Sequence, residues 1–562
     1  MIVCGLKLTH DGAVALIEDN KLVFSIEMEK LNNNKRYTSI EDTETIAEIL
    51  KQYGYKASDV DYYAIDGWGG YNADELAIQP RLEIGEEHNW LSAYYQGDKY
   101  ALGIGQYHER SLGHQVLEAW KFNGLKMEGG TFEYFSYLHV AGHIMSAYCT
   151  SPFAQKGESA YILVWDGGMY PRLYFFDAAS QSVENLGPIF LLIGNMYTIF
   201  SQHFGPFKVE TSFAKDNLSI AGKVMAYIAL GELKRELLPV FDTIYTECYN
   251  TPMGFANIFA NECKKRIAGQ GYKDEDILAT FHVYLEELLV DKLSKKIKRS
   301  GQKADNLCIA GGCALNIKWN SAIRNAGLVK SVYVPPFPND SGSAIGAACC
   351  AMFQITQNQR LEWSVYSGPK IETNDPDDGW TSRPVTLEEL AVILHETNQP
   401  VVFLHDRAEL GPRALGNRSI LCAPVSPEGK DLLNEMKMRE SYRPVSPICL
   451  EERAQEIFQP GTADPYMLYD HHVREGWHDK IPAVVHLDGT ARLQTITREE
   501  NSVVAELLEA YEKVSGIPLL CNTSANFNGS GFFPDVYAAT KWGRANYVWC
   551  NHVLYEKNVE KE

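Results

Sequence analysis

An arginine-rich loop interrupts the otherwise acidic character of this chain. Residues 407–419 contain three arginines and two glycines, although the whole protein carries a net charge of −20. The cations are Arg407, Arg413 and Arg418, and the glycines are Gly411 and Gly416. Guanidinium groups are permanent planar donors that suit phosphate oxygens, and glycines let backbone amides approach a ligand. The loop follows an apolar run, Pro400–His405, so the pattern predicts a strand that feeds a phosphate site; a solvated loop with ion pairs is the alternative.

A pair of histidines carries a second kind of chemistry. His139 and His143 stand four residues apart in a helical pattern, so both rings project from one face about one turn apart, as a shared metal requires. Ordinary helix residues would explain the pair as well. Asp166 and Asp340 each end a predicted strand at a turn of small residues, where they would converge on the cleft of a two-lobed fold. Such a His₂Asp₂ set suits Fe(II), Mn(II) or Zn(II).

His10 is a candidate general base at the end of the first predicted strand. An imidazole at this place, beside Asp11, could accept the proton of an attacking hydroxyl because histidine titrates near neutral pH. A purely structural His-Asp turn explains the same residues nearly as well.

The elements that position these residues show an internal repeat. A strand from Ile2 runs into His10-Asp11-Gly12 and then a hairpin, and a strand from Ala160 runs into Asp166-Gly167-Gly168 and then another hairpin. A duplicated strand–Asp-Gly–hairpin unit predicts an actin/hexokinase-like (ASKHA) fold that holds a nucleotide between two lobes. Chance recurrence of two hairpins in an α/β protein is the alternative.

Further elements complete the α/β pattern. The strand Asn306–Ala310 enters Gly311-Gly312 and a helix that opens at Asn316, a junction suited to a ribose or phosphate. Helices are predicted at Leu218–Glu232, Asp274–Ser300 and Asn316–Asn325. The periodicity breaks before residue 386, which predicts a first domain over 1–365, a linker over 366–385 and a second α/β domain over 386–562.

Composition narrows the class of protein. The chain has 562 residues and 45% hydrophobic content, enough for more than one core. Its acidic balance argues against a nucleic-acid partner, so the arginine loop is expected to serve a small molecule. The 12 cysteines lack paired metal-type spacing, and no run reaches the length of a membrane span. These features predict a cytoplasmic protein without a membrane partner, and they leave the oligomeric state open.

The run Glu409–Leu421 resembles the NodU/CmcH-type O-carbamoyltransferases, and further motifs of that family follow in order. Lys437–Pro447 is similar to its Arg-Glu-x-Phe-Arg-Pro-Phe-Ala-Pro segment, and His486–Thr495 to its His-Val-Asp-Gly-Thr-Ala-Arg segment. The resemblance covers nearly the whole chain. It implies a duplicated N-terminal ASKHA domain of the TsaD type and a C-terminal YrdC-like α/β domain.

The resemblance also assigns roles to residues. It implies iron on His139, His143, Asp166 and Asp340, and catalysis by His10. It implies that carbamoyl-adenylate is bound by Lys35, Asp166, Gly167, Gly168, Lys223, Gly311, Gly312 and Asn316. Carbamoyl phosphate and ATP would be bound by Arg413, Arg418, Arg443, Arg492, Asn522 and Ser524. Positive charges brought together from distant segments would neutralise both substrates.

The predicted function is an ATP-dependent O-carbamoyltransferase with two active centres. Carbamoyl phosphate and ATP, with Mg²⁺, would give carbamoyl-adenylate in the C-terminal domain, and the N-terminal domain would transfer the carbamoyl group to a hydroxyl of a natural product such as an antibiotic. The aromatic-rich residues 68–130, with Trp68, Trp90, Tyr94, Tyr95 and His108, are where an acceptor pocket is expected. The alternatives are a threonylcarbamoyl-type transferase acting on tRNA and a nucleotide-binding regulator without turnover.

Overall fold

The computed structural model describes residues 1–31, 35–67, 82–83, 85–109, 115–215, 217–248, 255–372 and 374–558. The chain divides into two compact units. The first comprises Met1–Glu158, Pro335–Val485 and Gly489–Glu562, and the second comprises Ser159–Val334 and His486–Asp488. Both are mixed α/β structures, as the sequence predicts. The domain boundary at 366–385 stays a prediction.

The first unit begins with a mixed sheet. Its N-terminal strands are β1 (Ile2–Lys7), β2 (Ala13–Glu18), β3 (Lys21–Glu27), β4 (Tyr62–Asp66), β5 (Leu82–Glu83), β6 (Asn89–Tyr95), β7 (Asp98–Ile104), β8 (Ala119–Met127) and β9 (Gly130–Tyr137). The helices are α1 (Glu44–Gln52), α2 (His139–Cys149) and α3 (Pro152–Lys156). The main sheet has the order β3-β2-β1-β4-β9-β8, with β1, β4 and β9 parallel and β2 antiparallel to both neighbours. Strands β5, β6 and β7 form a small separate sheet.

The second unit repeats this topology. Its strands are β10 (Ala160–Val164), β11 (Arg172–Asp177), β12 (Ser182–Pro188), β13 (Asn306–Ala310) and β14 (Ser331–Tyr333). Their order, β12-β11-β10-β13-β14, and their directions match β3-β2-β1-β4-β9 strand for strand. The duplication predicted from the two Asp-Gly hairpins is therefore confirmed, and it is the arrangement expected of an actin/hexokinase-like fold.

The helices of the second unit follow the predicted pattern in part. They are α4 (Met196–Ser201), α5 (Ala221–Tyr227), α6 (Leu238–Cys248), α7 (Phe255–Ile267), α8 (Asp274–Ser300) and α9 (Ile317–Asn325). The predicted bounds of α8 are confirmed, and Asn316 caps α9 rather than belonging to it. The tract 218–232 is a short α-helix flanked by 3-10 turns.

The remaining elements belong to the first unit. They are α10 (Ser343–Thr356), β15 (Trp380–Pro384), α11 (Leu387–Thr397), β16 (Val401–Leu404), β17 (Arg418–Cys422), α12 (Pro427–Met436), β18 (Ser446–Leu450), α13 (Glu451–Ile457), β19 (Phe458–Gln459), β20 (His471–Val473), β21 (Thr490–Ala491), β22 (Gln494–Ile496), α14 (Ser502–Ser515), β23 (Leu519–Ser524), α15 (Val536–Trp542), β24 (Tyr547–Cys550) and β25 (Val553–Lys557). The sheet order is β15-β25-β24-β16-β17-β23-β18-β22, over a hydrophobic core drawn from residues 385–554. Its likeness to the YrdC fold stays a prediction. Across the described residues, every helix is either too short or too polar to cross a bilayer.

Close helix packing fixes the position of α2. A Cβ atom at Gly346 of α10 would lie 2.0 Å from the carbonyl oxygen of Gly142 in α2, and one at Gly5 of β1 would lie 2.0 Å from the carbonyl oxygen of Ala344. Only glycine permits such approaches. These contacts hold α2, which carries the histidine pair, against α10, and they hold α10 against β1.

Substitution of Gly346 by alanine is expected to destabilise the protein by about 3 kcal/mol or more, because the new methyl group would overlap the α2 backbone. The measurement is equilibrium or thermal unfolding. Gly222→Ala in α5 is the control: a Cβ there meets no atom of the described residues within 4 Å, so this variant should be as stable as the wild type or slightly more stable. Equal stability of the two variants would contradict the close packing.

Candidate active site

The two predicted metal-binding histidines lie side by side in α2. Nε2 of His143 is 3.1 Å from Nε2 of His139, and both rings are buried. Oδ1 of Asp340 lies 3.4 Å from Nε2 of His139 and 3.5 Å from Nε2 of His143. Donor atoms spaced by about 3–3.5 Å can share one ion, since bonds to a transition metal are about 2.0–2.2 Å long. The three residues therefore fit a divalent metal.

A second layer of charged residues supports these donors, and sequence reasoning missed it. Oδ2 of Asp66 lies 2.8 Å from Nδ1 of His139. The ammonium group of Lys7 donates to Asp66 over 2.8 Å and lies 3.0 Å from Asp340. A carboxylate on Nδ1 makes Nε2 the metal-facing nitrogen and fixes the ring. The sequence did hold a signal, because Asp66-Gly67 ends β4 just as Asp-Gly ends other strands.

The charges of this cluster compensate one another. Although burial alone would favour the neutral acid, His139 and Lys7 hold the pKa of Asp66 below its usual range. Burial is likewise outweighed at Asp340, where Lys7, His139 and His10 hold the pKa well below the ordinary value. Burial lowers the pKa of Lys7, but the two carboxylates raise it more. The carboxylates are therefore ionised and available to a cation.

The predicted general base, His10, adjoins the same cluster. Its Nδ1 lies 2.9 Å from Oδ2 of Asp11, and its Nε2 lies 3.5 Å from Oδ2 of Asp340. The Asp11 contact favours the tautomer with the proton on Nδ1, which leaves Nε2 as the proton-accepting nitrogen. The His10 side chain is 17% exposed, so the imidazole is accessible to a small acceptor.

The fourth predicted metal ligand, Asp166, belongs to the second unit, together with several predicted adenylate-binding residues. Its Oδ1 accepts a hydrogen bond of 2.7 Å from the amide of Gly312. Gly311 has φ +88°, and a Cβ there would lie 2.4 Å from the carbonyl oxygen of Trp165. The strand ends at Asp166–Gly168 and at Gly311–Gly312 therefore meet, because β10 and β13 are parallel neighbours.

Asn316 and Lys223, the other two predicted adenylate-binding residues in this unit, lie at different helices. The side chain of Asn316 accepts hydrogen bonds from the amides of Lys318 and Trp319, at 3.2 and 3.3 Å, and so caps α9. Lys223 lies half-buried in α5. Their contacts with an adenylate stay predictions.

Two of the three arginines in the loop 407–419 are committed to backbone carbonyls. Arg418 is 1% exposed and donates to the carbonyl oxygens of His405, Asn417, Asp406 and Pro369. Arg407 donates to those of Gly368, Val23 and Ser367. These guanidinium groups stabilise the loop, which gives no support to the predicted phosphate contact of Arg418.

The loop amides that the glycines were expected to offer are also used internally. The amide of Gly411 donates to Oε1 of Glu27 over 2.8 Å, and that of Gly416 donates to the Ser419 hydroxyl over 3.1 Å. Glu409, fully buried, accepts from the amides of Leu415, Asn417 and Arg418. The amides of the loop therefore stabilise its own structure, and Arg413 is the arginine of the loop that is proposed to bind a ligand.

Arg413 belongs to a cluster of cations that repel one another. Burial, together with repulsion from Arg36 and Arg443, lowers the pKa of Arg413 to about 10. Burial also lowers the pKa of Arg492 well below its usual value, with repulsion from Arg413, Arg439 and Arg443. The Nε atom of Arg413 is buried without a hydrogen-bond partner among the described residues. Three predicted residues, Arg413, Arg443 and Arg492, are thus brought together.

The cluster contains three cations that sequence reasoning did not assign to it. They are Arg36, Lys437 and Arg439. Burial and repulsion from Arg443 lower the pKa of Arg439 to about 9, and its buried Nε and Nη2 lack partners in the described part of the chain. Lys437 donates to the carbonyl oxygens of Ser524 and Asn526 at 2.8 and 2.6 Å. For Lys437 and Arg439 the sequence did contain an indication, since both lie in the motif that contains Arg443.

The remaining predicted residues of this centre, Asn522 and Ser524, form hydrogen bonds within the protein. Nδ2 of Asn522 donates to Oε1 of Gln494 over 2.7 Å and to the carbonyl oxygen of Ala414 over 3.1 Å. The Ser524 hydroxyl donates to Oδ1 of Asn526 over 2.7 Å. Both side chains therefore hold the loops that carry Arg413 and Lys437, and their predicted contacts with substrate stay predictions.

Lys35 is exposed, and its backbone forms an antiparallel bridge with Ser530.

Of the aromatic residues expected near an acceptor, Trp68 lies outside the described residues, and Trp90, Tyr94 and Tyr95 lie on β6. Trp90 is 44% exposed. The acceptor pocket stays a prediction.

The chain thus combines a duplicated α/β fold and a His/Asp cluster with a further α/β sheet that carries a buried cation cluster. The chain belongs to the carbamoyltransferase family: the model of the carbamoyltransferase N-terminus matches residues 2–349, and that of the C-terminus matches residues 392–557. The resemblance seen in the sequence is thereby confirmed.

Named relatives agree with this family. Nodulation protein U of Rhizobium tropici is 50% identical over 574 aligned positions, which cover 99% of this chain and 96% of that protein. The 3'-hydroxymethylcephem-O-carbamoyltransferase of Amycolatopsis lactamdurans is 32% identical, over 95% of this chain and 94% of that protein. A solved dehydratase activator from Clostridium difficile covers 64% of this chain and 97% of its own at 14% identity, but with a TM-score of only 0.33 it carries no weight beside the strand order.

Glu29 gives the site a pH-dependent contribution to stability. Burial raises the pKa of its carboxyl to about 7, against the opposing attraction of Arg36. The folded state thus holds this proton more tightly than the unfolded state, so stability falls as the pH rises from about 4.5 through 7. Glu29→Gln should be more stable than the wild type at pH 8 by roughly 2–3 kcal/mol, and by little at pH 4.5.

Unfolding of both proteins across this pH range checks the prediction. Glu48→Gln, on the exposed side of α1, is the matched control and should follow the wild-type profile. A constant difference between Glu29→Gln and the wild type at all pH values would contradict the raised pKa.

Proposed function

We propose that this carbamoyltransferase converts carbamoyl phosphate and ATP to carbamoyl-adenylate and then transfers the carbamoyl group to a hydroxyl of a small molecule. The observation that carries the proposal is the presence of two chemically different centres. One is a group of buried cations in which guanidinium nitrogens of Arg36, Arg413 and Arg439 have no hydrogen-bond partner among the described residues, and the other is a His/Asp cluster with an adjacent imidazole.

The cation cluster suits the activation step. Its members are Arg36, Arg413, Lys437, Arg439, Arg443 and Arg492. Carbamoyl phosphate and ATP bring many negative charges together, and that repulsion must be offset before one substrate can attack the other. The same cations would stabilise the charge that develops on the leaving pyrophosphate. Arg418 is left out of this set because its donors go to carbonyl groups.

The balance of the step requires one water. Hydrolysis of carbamoyl phosphate gives carbamate and phosphate; a carbamate oxygen then attacks the α-phosphorus of ATP, and the bond to the β-phosphate oxygen breaks to release pyrophosphate. The product, carbamoyl-adenylate, is a mixed anhydride that water destroys, which is a reason to pass it directly to a second centre. Mg²⁺ bound to ATP would share the task of neutralisation.

The His/Asp cluster suits the transfer step. In the proposal, Nε2 of His10 accepts the proton of the acceptor hydroxyl. The hydroxyl oxygen attacks the carbamoyl carbon of carbamoyl-adenylate, and AMP leaves. Asp11 holds the imidazole by its Nδ1 and stabilises the positive charge that it gains. Lys35 and the residues at the ends of β10 and β13 are proposed to hold the adenylate.

His139, His143 and Asp340 would hold a divalent metal, with Asp166 proposed as the fourth ligand. The ion would supply Lewis acidity at the carbamoyl oxygen. Mixed imidazole and carboxylate donors accept Fe(II), Mn(II) or Zn(II), so iron remains a proposal. Asp66 and Lys7 keep these donors oriented and ionised before the ion binds.

A small-molecule acceptor agrees with the relatives, one of which is named for carbamoylation of a hydroxymethylcephem. The more similar relatives bear the name of a nodulation protein. A role in antibiotic biosynthesis therefore stays one possible setting, and the chemistry proposed for this chain is O-carbamoylation of a small-molecule hydroxyl.

The two half-reactions should separate by centre. Arg413→Ala should abolish carbamoyl-phosphate-dependent release of pyrophosphate, since loss of one cation from the cluster costs about 2–4 kcal/mol of transition-state stabilisation. His139→Ala should still form adenylate but should not transfer the carbamoyl group, and its metal content should fall well below one equivalent.

Pyrophosphate release, acceptor carbamoylation by mass spectrometry and elemental analysis provide the three readouts. Arg498→Ala is the matched control, because this arginine is 53% exposed and pairs with glutamates; it should behave like the wild type. If Arg413→Ala and His139→Ala fail at the same step, the assignment of two centres is wrong.

His10→Asn tests the proton acceptor. An amide can replace the imidazole in shape but cannot accept the proton, so transfer from preformed carbamoyl-adenylate should slow by roughly 10²–10⁴. Adenylate formation should be unchanged. Single-turnover transfer measures the first quantity and pyrophosphate release the second; equal transfer rates in variant and wild type would assign His10 to structure.

A further inference from the structure

The segment after β3 is docked on the loop that follows β23. The amide of Arg36 donates to the carbonyl oxygen of Gly529 over 3.0 Å, and Lys35 bridges Ser530. A Cβ at Gly531 would lie 1.6 Å from the carbonyl oxygen of Glu29, so the two backbones are in close contact. Both segments belong to the first unit, although about 500 residues separate them in sequence.

The same segment is also anchored to the arginine loop. The ammonium group of Lys30 donates to Glu27 over 2.7 Å and to the carbonyl oxygens of Glu409 and Gly411 over 2.6 and 2.8 Å. It also lies 5.0 Å from the centre of the Phe532 ring. Lys30 is 2% exposed, so these contacts are shielded from solvent. Lys30 is therefore anchored to the loop that carries Arg413.

The docking brings Arg36 to the cation cluster. After burial, repulsion from Arg36 is among the causes that lower the pKa of Arg413 and Arg443. The Nε atom of Arg36 is buried and has no hydrogen-bond partner within the described residues. A buried guanidinium nitrogen without an acceptor is costly, and so is its placement beside like charges. An anionic ligand would remove both costs.

We propose that Arg36 is an anion-binding residue of the activation centre, supplied by the N-terminal segment to a cluster that otherwise comes from residues 413–492. The inference rests on the proposed function and adds a residue that the sequence pattern did not indicate. Its ligand is a phosphate group of pyrophosphate or ATP, recognised by a planar two-donor cation.

This arrangement links the two centres. Lys35, proposed to hold the adenylate, is the neighbour of Arg36. A phosphate bound by Arg36 therefore also restrains Lys35. Occupation of the activation centre would in this way prepare the transfer centre for its substrate.

Calorimetric binding of inorganic pyrophosphate to the whole protein tests the proposal. Arg36→Gln should weaken binding by roughly 10- to 100-fold, the range expected for one charge-assisted contact. Arg36→Lys should recover part of the loss, because it keeps the charge but not the planar pair of donors. Arg235→Gln, whose side chain is 73% exposed, is the control and should bind like the wild type.

Hydrogen exchange gives a second readout. Pyrophosphate should slow exchange in the peptide that contains Lys35 and Arg36 in the wild type, and should do so much less in Arg36→Gln. A general loss of folding would instead change exchange throughout the chain. If Arg36→Gln does not fold, Arg36→Lys carries the test, and wild-type affinity in that variant with no change in exchange would overturn the proposal.

The outcomes distinguish failure of the proposed activation centre from failure of the role of Arg36. Absence of pyrophosphate binding to the wild type would contradict the proposed activation centre itself. Binding that is weakened by Arg443→Gln but not by Arg36→Gln would leave the activation centre in place and overturn the role of Arg36. Weakening by both variants, with the exchange effect, would support both.

Discussion

Positive charges that repel one another must be held together by the backbone around them, and this constraint organises the first unit. Burial lowers the pKa values of Arg413, Arg439 and Arg443, and repulsion from Arg36 lowers each of them as well. The surrounding loops are therefore fastened by other means, chiefly hydrogen bonds from Arg407, Arg418 and Lys30 to carbonyl oxygens. In the proposed function, the stability that an anion would return to this cluster is the energetic basis for substrate binding, a trade of stability for function.

The His/Asp cluster solves the opposite electrostatic problem. Two ionised carboxylates, Asp66 and Asp340, are buried beside Lys7, which balances part of their charge. Breaking one partner of such a buried set leaves an uncompensated charge, which costs far more than loss of a surface pair. The close packing of α2 on α10 holds this set together.

Residues at the end of β3 and just after it lie close to both centres. Glu27 and Lys30 bind the arginine loop, repulsion from Arg36 lowers the pKa of Arg413, and the Asp11 carboxylate raises the pKa of Glu29. In the proposed function, a reactive mixed anhydride travels from one centre to the other without meeting water. Residues close to both centres would be a simple physical means of coordinating the two proposed steps.

The sequence by itself determined the elements and much of the metal cluster. The Asp-Gly hairpins at Asp11 and Asp166 were sufficient to predict a duplicated sheet, and the four-residue spacing of His139 and His143 placed both rings on one face, because strand and helix geometry depend on local periodicity. Only the tertiary structure decided which arginines are available to a ligand. Arg413 and Arg418 look alike in sequence, but carbonyl oxygens from Pro369 and His405 reach Arg418 and not Arg413. Whether a donor is satisfied depends on which distant backbone folds against it, and no local pattern encodes that. For the same reason, the roles of Arg36 and Lys7 became visible only when separate strands and loops were brought together.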